Sequence, residues 1–233
     1  MKRRLSKILP VLLGLGLAGS ACSKQADPVA APGPVPAAGS ALYRVTFEAT
    51  WSAATHANFP AGGHFSPLMG LSHGADGLVF QLGNLASLGI KNVAELGNNA
   101  ALRAEINVLR GGGAARGLLD GQSRTASPGA LTDTVRLDPA HPWLTVVTMI
   151  APSPDWFAAL ESENLLAADG QWVAQRTVPA RAYDAGTDSG PTFTAPDQPT
   201  RPAAPIQPLR LPPATGSAPD GPPVGRWHLE KIR

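Results

Sequence analysis

The sequence predicts an all-β protein, an antiparallel β-sandwich with short helices in its loops, on three observations. First, 25 glycines and 24 prolines stand among 233 residues, well above the roughly 12 per cent of average proteins, and both residues are costly inside helices. Second, runs rich in β-branched and aromatic residues recur at intervals with turn residues between them, the pattern of a sandwich. Third, a hydrophobic share of 43% is enough for one core and excludes wholesale disorder.

The elements follow in chain order. Lys2, Arg3, Arg4 and Lys7 precede the apolar run Ile8 to Ala18 and the small residues Gly19, Ser20 and Ala21, so residues 1–21 form a secretory signal peptide. That run is shorter than the roughly 20 apolar residues a membrane-spanning helix needs. Cys22, the only cysteine, follows directly and resembles the lipidated cysteine of a bacterial lipoprotein. Cleavage by the ordinary signal peptidase, releasing a soluble protein, is the alternative. Residues 22–40 are Pro- and Ala-rich and read as an extended spacer.

The folded domain is expected over 41–195. Leu42 to Trp51 alternates apolar and polar positions and predicts a half-buried strand. Helical signal is confined to three short pieces, 82–88, 93–97 and 99–109, interrupted by Gly89 and Gly97. The segment 109–132, with Gly111-Gly112-Gly113, has no visible periodicity and is expected to be a long, mobile loop. Trp143 to Ala151 is nearly continuous and β-branched, which predicts a central strand covered on both faces. Gln171 to Val178 alternates again. Residues 196–233 form a Pro-rich C-terminal tail, within which Arg226 to Arg233 alternates and is either a closing strand or a loose end.

Charge narrows the function classes. Without the four basic residues of the signal, 15 Lys and Arg remain against 17 Asp and Glu. No basic patch is left for nucleic acid or an anionic lipid surface, so the membrane is reached only through a lipid on Cys22.

Three carboxylates are candidates for chemistry. Asp155 directly follows the expected central strand in Pro152-Ser153-Pro154-Asp155-Trp156. Asp184 and Asp188 lie in the glycine-containing Tyr183-Asp184-Ala185-Gly186-Thr187-Asp188-Ser189-Gly190. Neighbouring aspartates repel unless a cation or proton lies between them. Calcium suits hard oxygen ligands from carboxylates, carbonyls and water, although the EF-hand spacing is absent. The other reading is that both aspartates cap turns through nearby amides. Asp184-Ala185-Gly186-Thr187 and Asp188-Ser189-Gly190 resemble protease loops imperfectly, so a secreted hydrolase using these carboxylates is the rival function. His64, His73 and Glu95 could bind zinc, but lack the tight spacing zinc sites favour.

Longer motifs carry a resemblance. Trp51-Ser52, His56-Ala57-Asn58-Phe59-Pro60, His64-Phe65-Ser66-Pro67 and His73 are followed by Gly83-Asn84-Leu85-Ala86-Ser87-Leu88-Gly89 and Val93-Ala94-Glu95-Leu96-Gly97. Then come Met149-Ile150-Ala151-Pro152-Ser153-Pro154-Asp155-Trp156-Phe157 and the Tyr183–Gly190 loop. Together they resemble the spondin domain, the front module of F-spondin and mindin, over about 41–195. The resemblance implies a β-sandwich with calcium in loops at one end, held at Asp155, Asp184 and Asp188. It also implies non-enzymatic adhesion or binding to a surface or matrix ligand, protein or glycan. The chain departs in having no thrombospondin repeats, no cysteine pair and a bacterial-type signal, which weighs against an integrin or matrix role.

Overall fold

A computed structural model describes residues 39–213, 215 and 221–233. The signal peptide, Cys22 and nearly all of the spacer lie outside them. The strands are β1 (Ala41–Ala49), β2 (His64–Phe65), β3 (Met69–His73), β4 (Ala115–Asp120), β5 (Thr125–Ala126), β6 (Gly129–Leu137), β7 (Trp143–Ala151), β8 (Trp156–Asn164), β9 (Gln175–Asp184), β10 (Gln207–Leu209) and β11 (Gly225–Lys231). Two helices, α1 (Leu88–Leu96) and α2 (Ala100–Gly111), lie between β3 and β4.

All pairings are antiparallel, in the order β4-β3-β7-β8-β9-β11-β1-β6. The ends of this path nearly meet: the Ser72 hydroxyl donates to the Arg136 carbonyl at 2.8 Å and accepts from the Gly117 N–H at 2.7 Å. A side chain therefore closes the seam between β4 and β6 where a ladder would otherwise run. β9 serves three partners, β10 pairing with its end at Ala182–Asp184. Gln175–Ala180 pairs with β11, and Arg181–Asp184 pairs with β8. Pro179, which has no N–H to give a second ladder, sits beside the switch.

The apolar alternation of β1 sends Tyr43, Val45 and Phe47 into one core with Trp227, Leu229, Val146 and Leu160. A second core lies on the other face of β7 and β8, where Val147, Phe157 and Tyr183 meet Ile90, Val93, Leu102 and Ile106 of the helices. β7 is thus buried on both faces, as its unbroken apolar run predicts.

Five expectations need correction. Residues 82–87 are not helical; Leu88 opens α1 and Ser87 caps it, its hydroxyl accepting from the Ile90 N–H. Gly89 does not interrupt a helix but lies inside α1, where a Cβ would come 2.7 Å from the Leu102 Cα, so it lets α1 and α2 approach closely. The expected loop at 109–132 contains β4, β5 and the start of β6. Its strands carry glycine and charge because one face of each is solvated, which hides the period. The segment 196–233, expected as a tail, contributes strands: β10 extends the sheet, and Arg226 to Arg233 supplies the closing strand of its two readings, β11, between β9 and β1. The strand expected from Gln171 starts at Gln175 and continues to Asp184, because Trp172 turns out of the sheet to donate its indole N–H to the Gly39 carbonyl.

Candidate metal centre

Register brings the loop aspartates to one end of the fold. Trp156, the first residue of β8, pairs with Asp184, the last of β9. The residues just outside both strands, Asp155 and Ala185, then face each other, and the Ala185 N–H donates to the Asp155 carbonyl at 3.1 Å. The proline-flanked turn holds its shape through Ser153, whose hydroxyl accepts from the Trp156 N–H and donates to the Ile150 carbonyl.

Asp155 is fully buried, at 0% exposure. Its Oδ2 accepts the Thr187 N–H at 2.7 Å, the Asp188 N–H at 3.0 Å and the Thr187 hydroxyl at 3.3 Å. Its Oδ1 is buried with no hydrogen-bond partner. Burial pushes its pKa from 3.8 up to about 6, against the pull of the two amide bonds and with a further push from the Asp184 charge. Burial raises Asp184 as well, and the Asp188 charge adds to it, while the Gly186 N–H and the Trp156 side chain partly offset both. Asp188 accepts the Gly190 N–H at 2.7 Å on Oδ1 and the Gln198 N–H at 3.0 Å on Oδ2. Gly186 makes the turn feasible: its φ is +72°, and a Cβ would lie 2.1 Å from the Ala204 carbonyl oxygen.

Both readings of the loop have support here. Asp184 and Asp188 cap turns, as aspartates in such loops do. Asp155 goes further, since a buried carboxylate oxygen without a partner costs more than a turn requires. Among the described residues no set of three or more His, Cys, Asp or Glu side chains is gathered as a metal cluster. Asp155 and Asp184 share one end of paired strands, while Asp188 turns toward its amides. The donor chemistry nonetheless fits a hard cation: Asp155 Oδ1 is unused, and a carboxylate oxygen accepting one N–H keeps a second lone pair. A cleft of 300 Å³ bounded by Asp184, Gly186, Asp188, Ser189 and Thr200 opens beside them.

The other candidates separate. His64 Nδ1 bonds the Gly62 carbonyl, His73 is buried between Gly74 and Thr145, and Glu95 pairs with Lys91 at 3.2 Å. Ser189 donates its hydroxyl to the Gln198 carbonyl at 3.0 Å and has no histidine partner. Thr187, Gly190 and Gln198, which hold the carboxylates, escape sequence reasoning because they act mainly through backbone N–H groups that any residue but proline carries.

The fold and site define a class: an all-β sandwich module with a layer of helices and an acidic loop end. The sequence profile of the Spondin_N family matches residues 41–219, and the chain belongs to that family. It is 34% identical over 183 residues to Spondin-1 of Gallus gallus, covering 74% of this chain and 22% of that protein. With Spondin-1 of Xenopus laevis it shares 32% over 212 residues, 84% of this chain and 26% of the relative. With Spondin-2 of Homo sapiens it shares 32% over 169 residues, 70% of this chain and 50% of the relative. The chain thus spans about a quarter or less of the Spondin-1 proteins and half of Spondin-2.

Proposed function

We propose that this chain is a secreted, non-enzymatic adhesion or ligand-binding domain whose acidic loop end is tied together by calcium. Membership of the spondin family supports the first part. The second rests on one observation, the fully buried Asp155 with an unpartnered Oδ1 beside Asp184. Asp155, Asp184 and Asp188 would hold the ion, with carbonyls of the 184–189 turn and water filling the shell that three side chains leave short. Calcium supplies charge compensation there and nothing catalytic. The partner is a surface or matrix ligand, and any contact with a membrane runs through a lipid at Cys22. The alternative is a secreted hydrolase using the same three carboxylates; the Ser189 hydroxyl, committed to a backbone carbonyl, speaks only against a serine nucleophile in that loop.

The test is thermal unfolding with calcium, magnesium or chelator. At a hundredfold excess over its dissociation constant, calcium should stabilise by about 2.7 kcal/mol, and magnesium, which needs a tighter octahedral shell, should do so poorly. A melting temperature indifferent to calcium would remove the metal from this reading.

A further inference from the structure

The five histidines differ in what they require of their protons. His56 bonds the Pro222 carbonyl through Nε2 and the Thr55 hydroxyl through Nδ1. His73 bonds the Gly74 carbonyl through Nδ1 and the Thr145 hydroxyl through Nε2. A hydroxyl can donate, so a neutral imidazole with one N–H satisfies either pair. His141 has no such freedom. Its Nδ1 lies 2.7 Å from Asp138 Oδ1 and its Nε2 lies 2.9 Å from the Gly113 carbonyl oxygen. Both are acceptors only, so both ring nitrogens must carry a proton, which only the imidazolium provides.

We propose that His141 is a pH-sensitive clamp which, as the imidazolium, fastens the turn between β6 and β7 to the turn between α2 and β4. Among the described residues other ties here are few: Asp138 also pairs with Arg116 of β4 at 3.5 Å, and the α2–β4 turn is held separately to the loop after β3 by the Gly74 N–H on the Ala114 carbonyl. Losing one proton removes one of the two bonds and sets a ring lone pair against an acceptor oxygen. The turn holding His141 is otherwise intact without that proton, because the Ala140 and His141 amides both donate to Asp138 Oδ1. The clamp therefore opens the seam between the turns, not the turn itself.

The surrounding charges are mixed. Asp138 favours the imidazolium, Arg116 on β4 opposes it, and Asp76 lines the same 420 Å³ hollow. His73 on β3 is near enough for charge repulsion, and burial lowers its own pKa. Burial pulls His141 down, but the Gly113 and Asp138 bonds outweigh it and its pKa is raised. Its contribution is thus complete below the unfolded pKa near 6.5 and is lost as pH rises through the higher folded value. For His73 the sign is opposite: its contribution is complete above 6.5 and fades as pH falls.

The experiment is ¹⁵N-resolved imidazole titration of the intact domain by NMR, paired with melting curves of wild type and His141→Gln from pH 5.5 to 8.5. We expect both His141 nitrogens protonated at pH 6 and a titration midpoint above 6.5 that falls in Asp138→Asn. The melting-temperature gap between wild type and His141→Gln should narrow as pH rises. A His141 midpoint at or below 6.5, or one unmoved by Asp138→Asn, overturns the clamp. So does a gap that stays constant with pH. Should His141→Gln fail to fold, the wild-type and Asp138→Asn titrations decide alone.

Discussion

Replacing Asp155 by asparagine separates charge from shape at the centre of the acidic loops. Asparagine keeps an oxygen to accept the Thr187 and Asp188 amides and removes the charge. The rise of the Asp155 pKa from 3.8 to about 6 corresponds, at about 1.4 kcal/mol per pH unit, to roughly 3 kcal/mol. Because the folded value lies above the unfolded one, the stabilising contribution of the protonated acid is complete below pH 3.8. It is lost as pH rises through about 6. Above that pH the metal-free protein carries the penalty in full, and Asp155→Asn should relieve most of it. At about 2–4 °C per kcal/mol for a domain of this size, the variant should melt up to roughly 6–12 °C above wild type at pH 7.5 in chelator. The gap should close as pH falls toward 4. Calcium at a hundredfold excess should close most of the gap, raising wild type by about 2.7 kcal/mol and leaving the variant unchanged. The assay is differential scanning calorimetry at pH 4.5 and 7.5, with calcium and with chelator. A variant destabilised equally at both pH values and blind to calcium in the same way as wild type would refute the reasoning, and Asp155 would then be only a staple for the 184–190 loop.

Two further outcomes are expected. Gly186→Ala should cost more than the usual 1–3 kcal/mol of a strained backbone position, because φ is +72° and the new Cβ would meet the Ala204 carbonyl oxygen at 2.1 Å; denaturant unfolding reads the loss, and a change under 1 kcal/mol would contradict the close packing. Cys22→Ala should move the protein from the membrane fraction to the soluble one, and a wild type already soluble would dismiss the anchor.

The parts of the fold legible in the sequence are those where one physical demand dominates the pattern. β1 alternates because one face is core and the other is partly solvated, and β7 is unbroken because both faces are covered. The segment 109–132 defeated the same reasoning. β4 reads Ala-Arg-Gly-Leu-Leu-Asp, in which the demand for an apolar face is mixed with a glycine at the seam to β6. β11 posed another difficulty. Its alternation was visible, but its place between β9 and β1 depends on partners far away in sequence, and the prolines before it imitate a tail. Prolines in 196–213 forbid helix without forbidding a short strand such as β10, which pairs with the end of β9.

The candidate site shows the same division between side-chain and backbone information. The three aspartates stand out in sequence because a carboxylate is conspicuous, and the register of β8 against β9 then brings Asp155 and Asp184 to one end. Their roles, however, are assigned by amide groups. Two amides converge on Asp155 Oδ2, one on each oxygen of Asp188, and one on Asp184 Oδ1. What remains after those bonds is one buried carboxylate oxygen without a partner, Asp155 Oδ1, and the proposed calcium site rests on that remainder. It was unreadable in the sequence because it is a difference between the acceptors present and the donors that reach them. His141 follows the same logic with the sign reversed: in sequence it is one histidine near one aspartate, and only the Gly113 carbonyl, brought in by the α2–β4 turn, requires its second proton.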